Sequence, residues 1–464
     1  MDEPSSYRLV IIGVLALAGL LAFFASRNPA RDGLILFIAT LGLGYRTVHL
    51  TDALWIHPSE IALLVTLLAS LDLGRAPQPG ASPRPLPWWL WALLPFLFLG
   101  WLPRGTNVFD WDTRLSECIN VSLAIPTFLA ARAVLGDRRS WRPVVVSLYA
   151  LGTVVAIMGG VEYVYPNIRN VLPGFVSNPE AYESDGGFLR AAYSFYGSTI
   201  AVFLCVLALP FGLTLWSWYR GPLARLTTAA AAAAQLGGVY ISGYRSQWLM
   251  VGVLVLLIPL RHGRFILAGL LVVAALAGTQ LLPEGTLGRL QSLEKLVEGN
   301  PEDSSGIKRK ERIDQAFEAV ADNPLGNGWA SAGWVHSDFL QIAANLGLLA
   351  GLILLFGYLH TLFRLGSAMR HASPQDELAP LGFSLFLSFL VVGQMLAVQG
   401  VEFLSFTILP LWLVWALSRT WICQTAPAAV QAAAPAQRWG GFLVVRPTER
   451  PTAGMNRRPS PPPG

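Results

Sequence analysis

Residues 143–164, PVVVSLYALGTVVAIMGGVEYV, decide the fold class. Only Glu162 is charged in this run, and its length matches the roughly 20 apolar residues that carry a helix across a bilayer. In hydrocarbon every backbone N–H and C=O must be paired within the protein. An apolar run without strict period-two alternation meets that demand as a helix and not as a barrel strand.

Comparable runs extend outward in both directions, near 8 to 25, 32 to 48, 56 to 73, 87 to 102 and 115 to 135 before this one. After it they fall near 193 to 217, 223 to 242, 246 to 260, 264 to 282, 338 to 363, 378 to 398 and 402 to 420. The prediction is an all-α, polytopic helical membrane protein with about 12 or 13 transmembrane helices. The composition agrees: 53% of the 464 residues are hydrophobic and 13% charged, with a mean hydropathy of +0.50. The flank MDEPSS ahead of the first run carries no basic n-region, so that run is expected to remain as a span and not to be removed as a signal.

Charge sets the expected topology. Arg138, Arg139 and Arg142, then Arg220 and Arg225, Arg261 and Arg264, and Arg364 and Arg370 fall on alternate connections, which the positive-inside rule assigns to the cytoplasm. The connections 103–114, 165–192, 243–245 and 283–337 then face outward. The net charge of +5 therefore reports topology, and no nucleic-acid partner is expected. Cys118, Cys205 and Cys423 show no metal or redox spacing and are expected to be packing residues. Residues 1–424 form one membrane domain, with outer loops 165–192 and 283–337. The Pro/Ala/Arg-rich stretch 425–464 is expected to be a disordered cytoplasmic tail, its arginines drawn to anionic membrane lipids.

The chemistry concentrates in Lys308–Leu349, KRKERIDQAFEAVADNPLGNGWASAGWVHSDFLQIAANLGLL. Ile313, Ala316, Phe317 and Val320 have the spacing of an amphipathic helix. Arg309 and Arg312, each four residues before a member of that set, continue its apolar face, so both are expected to point toward the membrane domain. Asn323-Pro324 and Gly326-Asn327-Gly328 end the helix in a flexible, backbone-exposed turn. Asp338 with Gln341 reads as a capping box, which places His336 just ahead of a membrane helix whose positive end favours a neutral ring. A neutral imidazole is a competent base. The plainer reading of His336 is an interfacial polar residue, and that of Arg309 and Arg312 is a solvated charge run.

Arg245, in SGYRSQ, falls in a turn so short that its guanidinium must sit at the outer membrane boundary, as an anion ligand or an interface anchor. Arg190, in GGFLRAAYSF, has the same status. Glu60, Glu117, Glu162 and Glu402 gather at the outward ends of spans, where each is expected to hold the bundle together by pairing with an arginine. His49 and His57 are read as structural. Asp110-Trp111-Asp112 is read as a helix cap within the aromatic belt, in preference to a metal-binding acidic pair.

These motifs resemble the O-antigen ligase and O-antigen polymerase superfamily of bacterial membrane glycosyltransferases. Members have about a dozen helices, a short outer turn of the type SGYRS, and a large outer loop with an Arg-rich helix, an NPLGNG turn and an H-x-D-x-L-Q entry. The resemblance is best from Ser242 to Leu354, with GGFLRAAYSFYGSTIAVFLCVLALP as a further match. The first five or six spans match in hydropathy only. The resemblance implies a GT-C-like fold in the bacterial inner membrane. It places the family's arginines at Arg245 and at Arg309 or Arg312, and its loop histidine at His336. Asn345 and Ser337 stand where a glutamate and an asparagine are common.

The function implied is transfer of a glycan from a polyprenyl-diphosphate carrier to an acceptor hydroxyl at the outer face, metal-independent, inverting and without a cofactor. Arg245, Arg309, Arg312 and Arg190 would bind the diphosphate, and His336 would act as base. The acceptor is lipid A core for a ligase and another lipid-linked glycan for a polymerase. A protein-directed relative would use a pilin hydroxyl. Envelope-polysaccharide assembly proteins are possible partners. A small-anion transporter and an assembly scaffold are the readings of other classes, and the scarcity of midplane charge weighs against transport.

Overall fold

The computed structural model describes residues 26, 28–41, 48–49, 55–70, 86–102, 111–165, 198–278, 304–329, 331, 335, 337–399 and 405–425. Among them the chain is helical, apart from a two-residue antiparallel pair, β1 (Val48–His49) with β2 (Trp55–Ile56). The first half contributes α1 (Pro29–Leu41), α2 (Pro58–Ser70), α3 (Trp88–Leu99), α4 (Trp111–Ser122), α5 (Ala124–Leu135), α6 (Trp141–Val164), α7 (Ser198–Ala208) and α8 (Phe211–Trp218). The second half contributes α9 (Pro222–Ser242), α10 (Arg245–Arg261), α11 (Phe265–Gly278), α12 (Ser304–Asp322), α13 (Asp338–Leu346), α14 (Leu348–His371), α15 (Ala379–Gln394) and α16 (Ser405–Thr425). A single π-helical segment, Met395–Gln399, extends α15. The chain divides into units 1–425 and 426–464, and the second lies outside the described residues, as does the first expected span.

Five helical stretches among the described residues are long and apolar enough to cross a bilayer: Arg114–Leu135, Arg138–Val164, Ile200–Trp218, Leu348–His371 and Ala379–Ala397. The chain is a multi-pass helical membrane protein. Within these helices Thr127 bonds back to the carbonyl of Leu123, Thr153 to that of Tyr149 and Thr361 to that of Gly357, so each of these hydroxyls is satisfied inside its own helix. Between helices, Gln235 Nε2 donates to Tyr149 O and Thr153 Oγ1, while Ser384 and Ser388 on α15 bond carbonyls Pro210 and Leu207. An aromatic core joins α3, α14, α15 and α16, with Trp89 and Trp415 ring centroids 4.3 Å apart and Phe389 stacked on Tyr358 at 4.8 Å.

One expected span is distorted and another is interrupted. Pro210, which lacks an N–H, separates α7 from α8. Gly347 separates α13 from α14, correcting the single span expected at 338 to 363. Its φ is 106°, and a Cβ there would lie 2.8 Å from the Leu325 carbonyl.

The basic turns meet at one end of the bundle. Arg138 Nη2 pairs with Asp376 Oδ2 at 2.8 Å and Arg142 pairs with Glu377. Trp218 Nε1 donates to Glu377 O, and Arg261 lies over the Phe383 ring at 4.1 Å. The connections expected to share one side are thus in mutual contact. The three cysteines form no disulfide.

Candidate functional site

At the opposite end of the bundle, residues 323–329, with 331, 335 and 337, lie between α12 and α13. The NPLGNG turn was expected to be backbone-exposed; Pro324 and Leu325 are exposed, but Gly326 and Gly328 are buried. Its amides are taken up by helix ends. Asn327 N donates to Ala344 O at 3.1 Å and Gly328 N to Asn345 O at 2.8 Å, satisfying carbonyls that the break at Gly347 leaves open. Leu348 N donates to Pro324 O at 2.9 Å, and Asn327 Nδ2 reaches Ala319 O and Ala344 O. Trp329, 2% exposed, performs the same service for α3. Its backbone N–H bonds Gly100 O at 2.9 Å and its indole N–H bonds Leu97 O at 3.0 Å.

Helix α13 carries a polar stripe, Asp338, Gln341 and Asn345, and all three are buried. Such a stripe is stable only if it is hydrogen-bonded. Glu117 on α4 supplies acceptors: Asn345 Nδ2 donates to Oε2 at 3.1 Å and Gln341 Nε2 approaches Oε1 at 3.5 Å. Gln341 Oε1 faces the Val335 N–H at 3.4 Å, and Ser331 Oγ donates to Asn345 Oδ1 at 3.2 Å. A continuous path thus runs from the Glu117 carboxylate through Gln341 to the backbone beside position 336. Arg114, one turn before Glu117, lies over the Trp101 ring at 6.0 Å and borders Gly328.

The expected capping box does not form. Ser337 is the N-cap of α13, without a side-chain bond, and Asp338 is its first helical residue. Gln341 is diverted from the cap because its amide serves Glu117 and Val335.

Helix α12 packs on α13 through Ala316 and Val320, which join Val335, Ala343 and Ala344 in a small apolar cluster. Phe317, expected on this face, is 59% exposed, and Ala319 takes its place. Arg309 and Arg312 fall on the same angular face as Ala316, but toward the N-terminus, beyond the stretch that α13 covers. Both are exposed, which corrects the inward orientation expected for them. Arg245 opens α10 and is half-buried. Its neighbour Gln247 donates to Met395 Sδ at 3.2 Å on the π turn, which also packs on α13, so Arg245 and α13 share this end.

His336, Arg190 and Glu402 lie outside the described residues. Glu162 is buried near the end of α6. The His57 backbone N–H donates to Glu60 Oε2 at 3.3 Å, a capping contact at the start of α2. Asp112 lies inside the first turn of α4 and is not its cap.

Two participants were missed or undervalued in the sequence. Arg114 was passed over, though its spacing of three from Glu117 puts both on one face of α4. Gln341 was assigned to a cap, where a buried amide on a polar stripe signals a cross-helix partner. Comparison with protein-family models, curated proteins and solved structures finds no match to this chain.

Proposed function

We propose that this protein is a membrane glycosyltransferase of the O-antigen ligase type, which moves a glycan from a polyprenyl-diphosphate carrier to an acceptor hydroxyl at the outer face of the bacterial inner membrane. The observation that carries the reading is the path from Glu117 through Gln341 to Val335, which anchors the chain directly beside His336 at the bundle end away from the basic turns. A loop of this length gains a defined backbone only where its polar groups are tied down, and catalysis requires that definition.

In the reaction, the acceptor oxygen attacks the anomeric carbon as the bond from that carbon to the diphosphate oxygen breaks. The acceptor proton passes to His336, and the electron pair leaves with the polyprenyl diphosphate. Arg245, half-buried at the same bundle end as α13, is suited to bidentate contact with the developing phosphate charge. Arg309 and Arg312, on the exposed part of α12, would meet the headgroup from the water side, and Arg190 completes the proposed set.

Deletion of the gene in its host, followed by analysis of the carrier-linked glycan pool, tests the reading. Long chains stranded on the carrier identify a ligase, and single repeats identify the polymerase of the same superfamily. An unchanged pool refutes glycosyl transfer and returns the anion transporter or the assembly scaffold.

A further inference from the structure

The end of the bundle where the basic turns gather carries a second cluster of cations, unused by the reaction above. The 2.9 Å hydrogen bond from Trp415 Nε1 to Thr361 Oγ1 sets the register of α16 on α14. Both helices run toward this end, so one turn further each presents a cation, Arg419 after Trp415 and Arg364 after Thr361. His360 adjoins them. Its ring meets Trp88, the first residue of α3, edge-on at 6.4 Å between centroids. His360 lies within electrostatic reach of both arginines, and the arginines of each other.

The two guanidinium groups repel one another unless an anion joins them. Among the described residues neither Arg364 nor Arg419 enters an ion pair, and Asp376 and Glu377, at the same end, are engaged by Arg138 and Arg142. His360 Nδ1 is buried with no hydrogen-bond partner among the described residues.

The surroundings identify the kind of anion. Phe356, His360, Phe363 and Arg364 occupy one stripe of α14 at the spacing i, i+4, i+7, i+8. Phe356 and Phe363 are exposed along a helix long enough to cross a bilayer, and Trp88 is exposed at its rim. Apolar rings lead along the helix to a group of cations, with an aromatic residue at the level where headgroups begin. A soluble anion has no use for the phenylalanines, whereas a phospholipid matches both parts.

We propose that His360, Arg364 and Arg419, bordered by Trp88, bind the phosphate of an anionic phospholipid whose acyl chain lies along Phe356 and Phe363. The site is at the end that the positive-inside rule assigns to the cytoplasmic leaflet, where anionic headgroups and basic interhelical pockets meet.

Native mass spectrometry of the full chain, offered equimolar phosphatidylglycerol and phosphatidylcholine in detergent, tests this. The wild type should retain phosphatidylglycerol preferentially, and Arg364→Gln, an exposed position tolerant of substitution, should lower that preference about fivefold. Arg138→Gln, at the same end but paired with Asp376, should leave it unchanged. Equal retention of the two lipids, or an unaltered preference in Arg364→Gln, overturns the site. Displacement of the bound lipid by millimolar glycerol phosphate assigns a soluble-anion site instead and overturns the lipid.

Discussion

Glu117 on α4 and Asn345 on α13, 228 positions apart, are joined by a 3.1 Å hydrogen bond in which the amide donates to the carboxylate. Here the carboxylate arrives from another helix, and the asparagine has the donor that receives it. By accepting this bond and the one from Gln341, the half-buried carboxylate ties the two helices together.

That pairing predicts the effect of Asn345→Asp. Two carboxylates would meet where a donor and an acceptor now do, at a cost of about 1 to 3 kcal/mol. Adding Glu117→Gln to Asn345→Asp restores a donor–acceptor pair and should recover most of the loss. Thermal melts of the three variants in detergent form a double-mutant cycle. Additive losses, with no recovery in the double variant, would show that the two side chains do not communicate.

Trp329 anchors the loop by its ring and by its backbone. Trp329→Ala removes a buried indole and its bond to Leu97 O, which predicts a loss of about 3 to 5 kcal/mol. Limited proteolysis should then cut within 323–337 much faster than in the wild type. Unchanged cleavage would mean that the indole does not secure the loop.

Gly347→Ala must adopt a φ of 106° and bring its Cβ to 2.8 Å from the Leu325 backbone. The expected destabilisation is about 1 to 3 kcal/mol. Gly366→Ala, where the nearest atom to an added Cβ is 3.9 Å away within α14, should be neutral or slightly stabilising. Equal melting temperatures for the two variants would refute the break at Gly347.

His336→Ala should reduce glycan transfer by about 10²- to 10⁴-fold while membrane insertion stays normal. Arg245→Lys keeps the charge but loses the planar fork, so it should retain only part of the activity. The readout for both is carrier-linked and transferred glycan in the deletion host. Wild-type transfer by His336→Ala would remove the base from the mechanism.

The helical membrane class and the grouping of the basic turns were legible because they follow from hydrophobicity and charge, properties each residue carries alone. Helices α3, α6, α9 and α10 lie close to the bounds expected for spans for that reason, while five stretches among the described residues are long and apolar enough to cross a bilayer. The orientation of Arg309 and Arg312 was not legible. Periodicity assigns an angular face to a helix, but it does not say how far along that face a partner extends, and α13 covers only the turns around Ala316 and Val320.

The loop shows the same division. Its Gly and Asn residues marked a turn in the sequence, since their backbone preferences are local. Only the tertiary structure decided where this turn's backbone is bonded, because its amides find the carbonyls of Ala344 and Asn345 across the break at Gly347. The partnership of Glu117 with Gln341 and Asn345 likewise depends on two helices meeting, which no spacing within either one encodes. Local chemistry determined which segments are helices and which ends carry charge. Packing determined which polar groups face one another, because burial forces each to take the nearest partner the fold supplies.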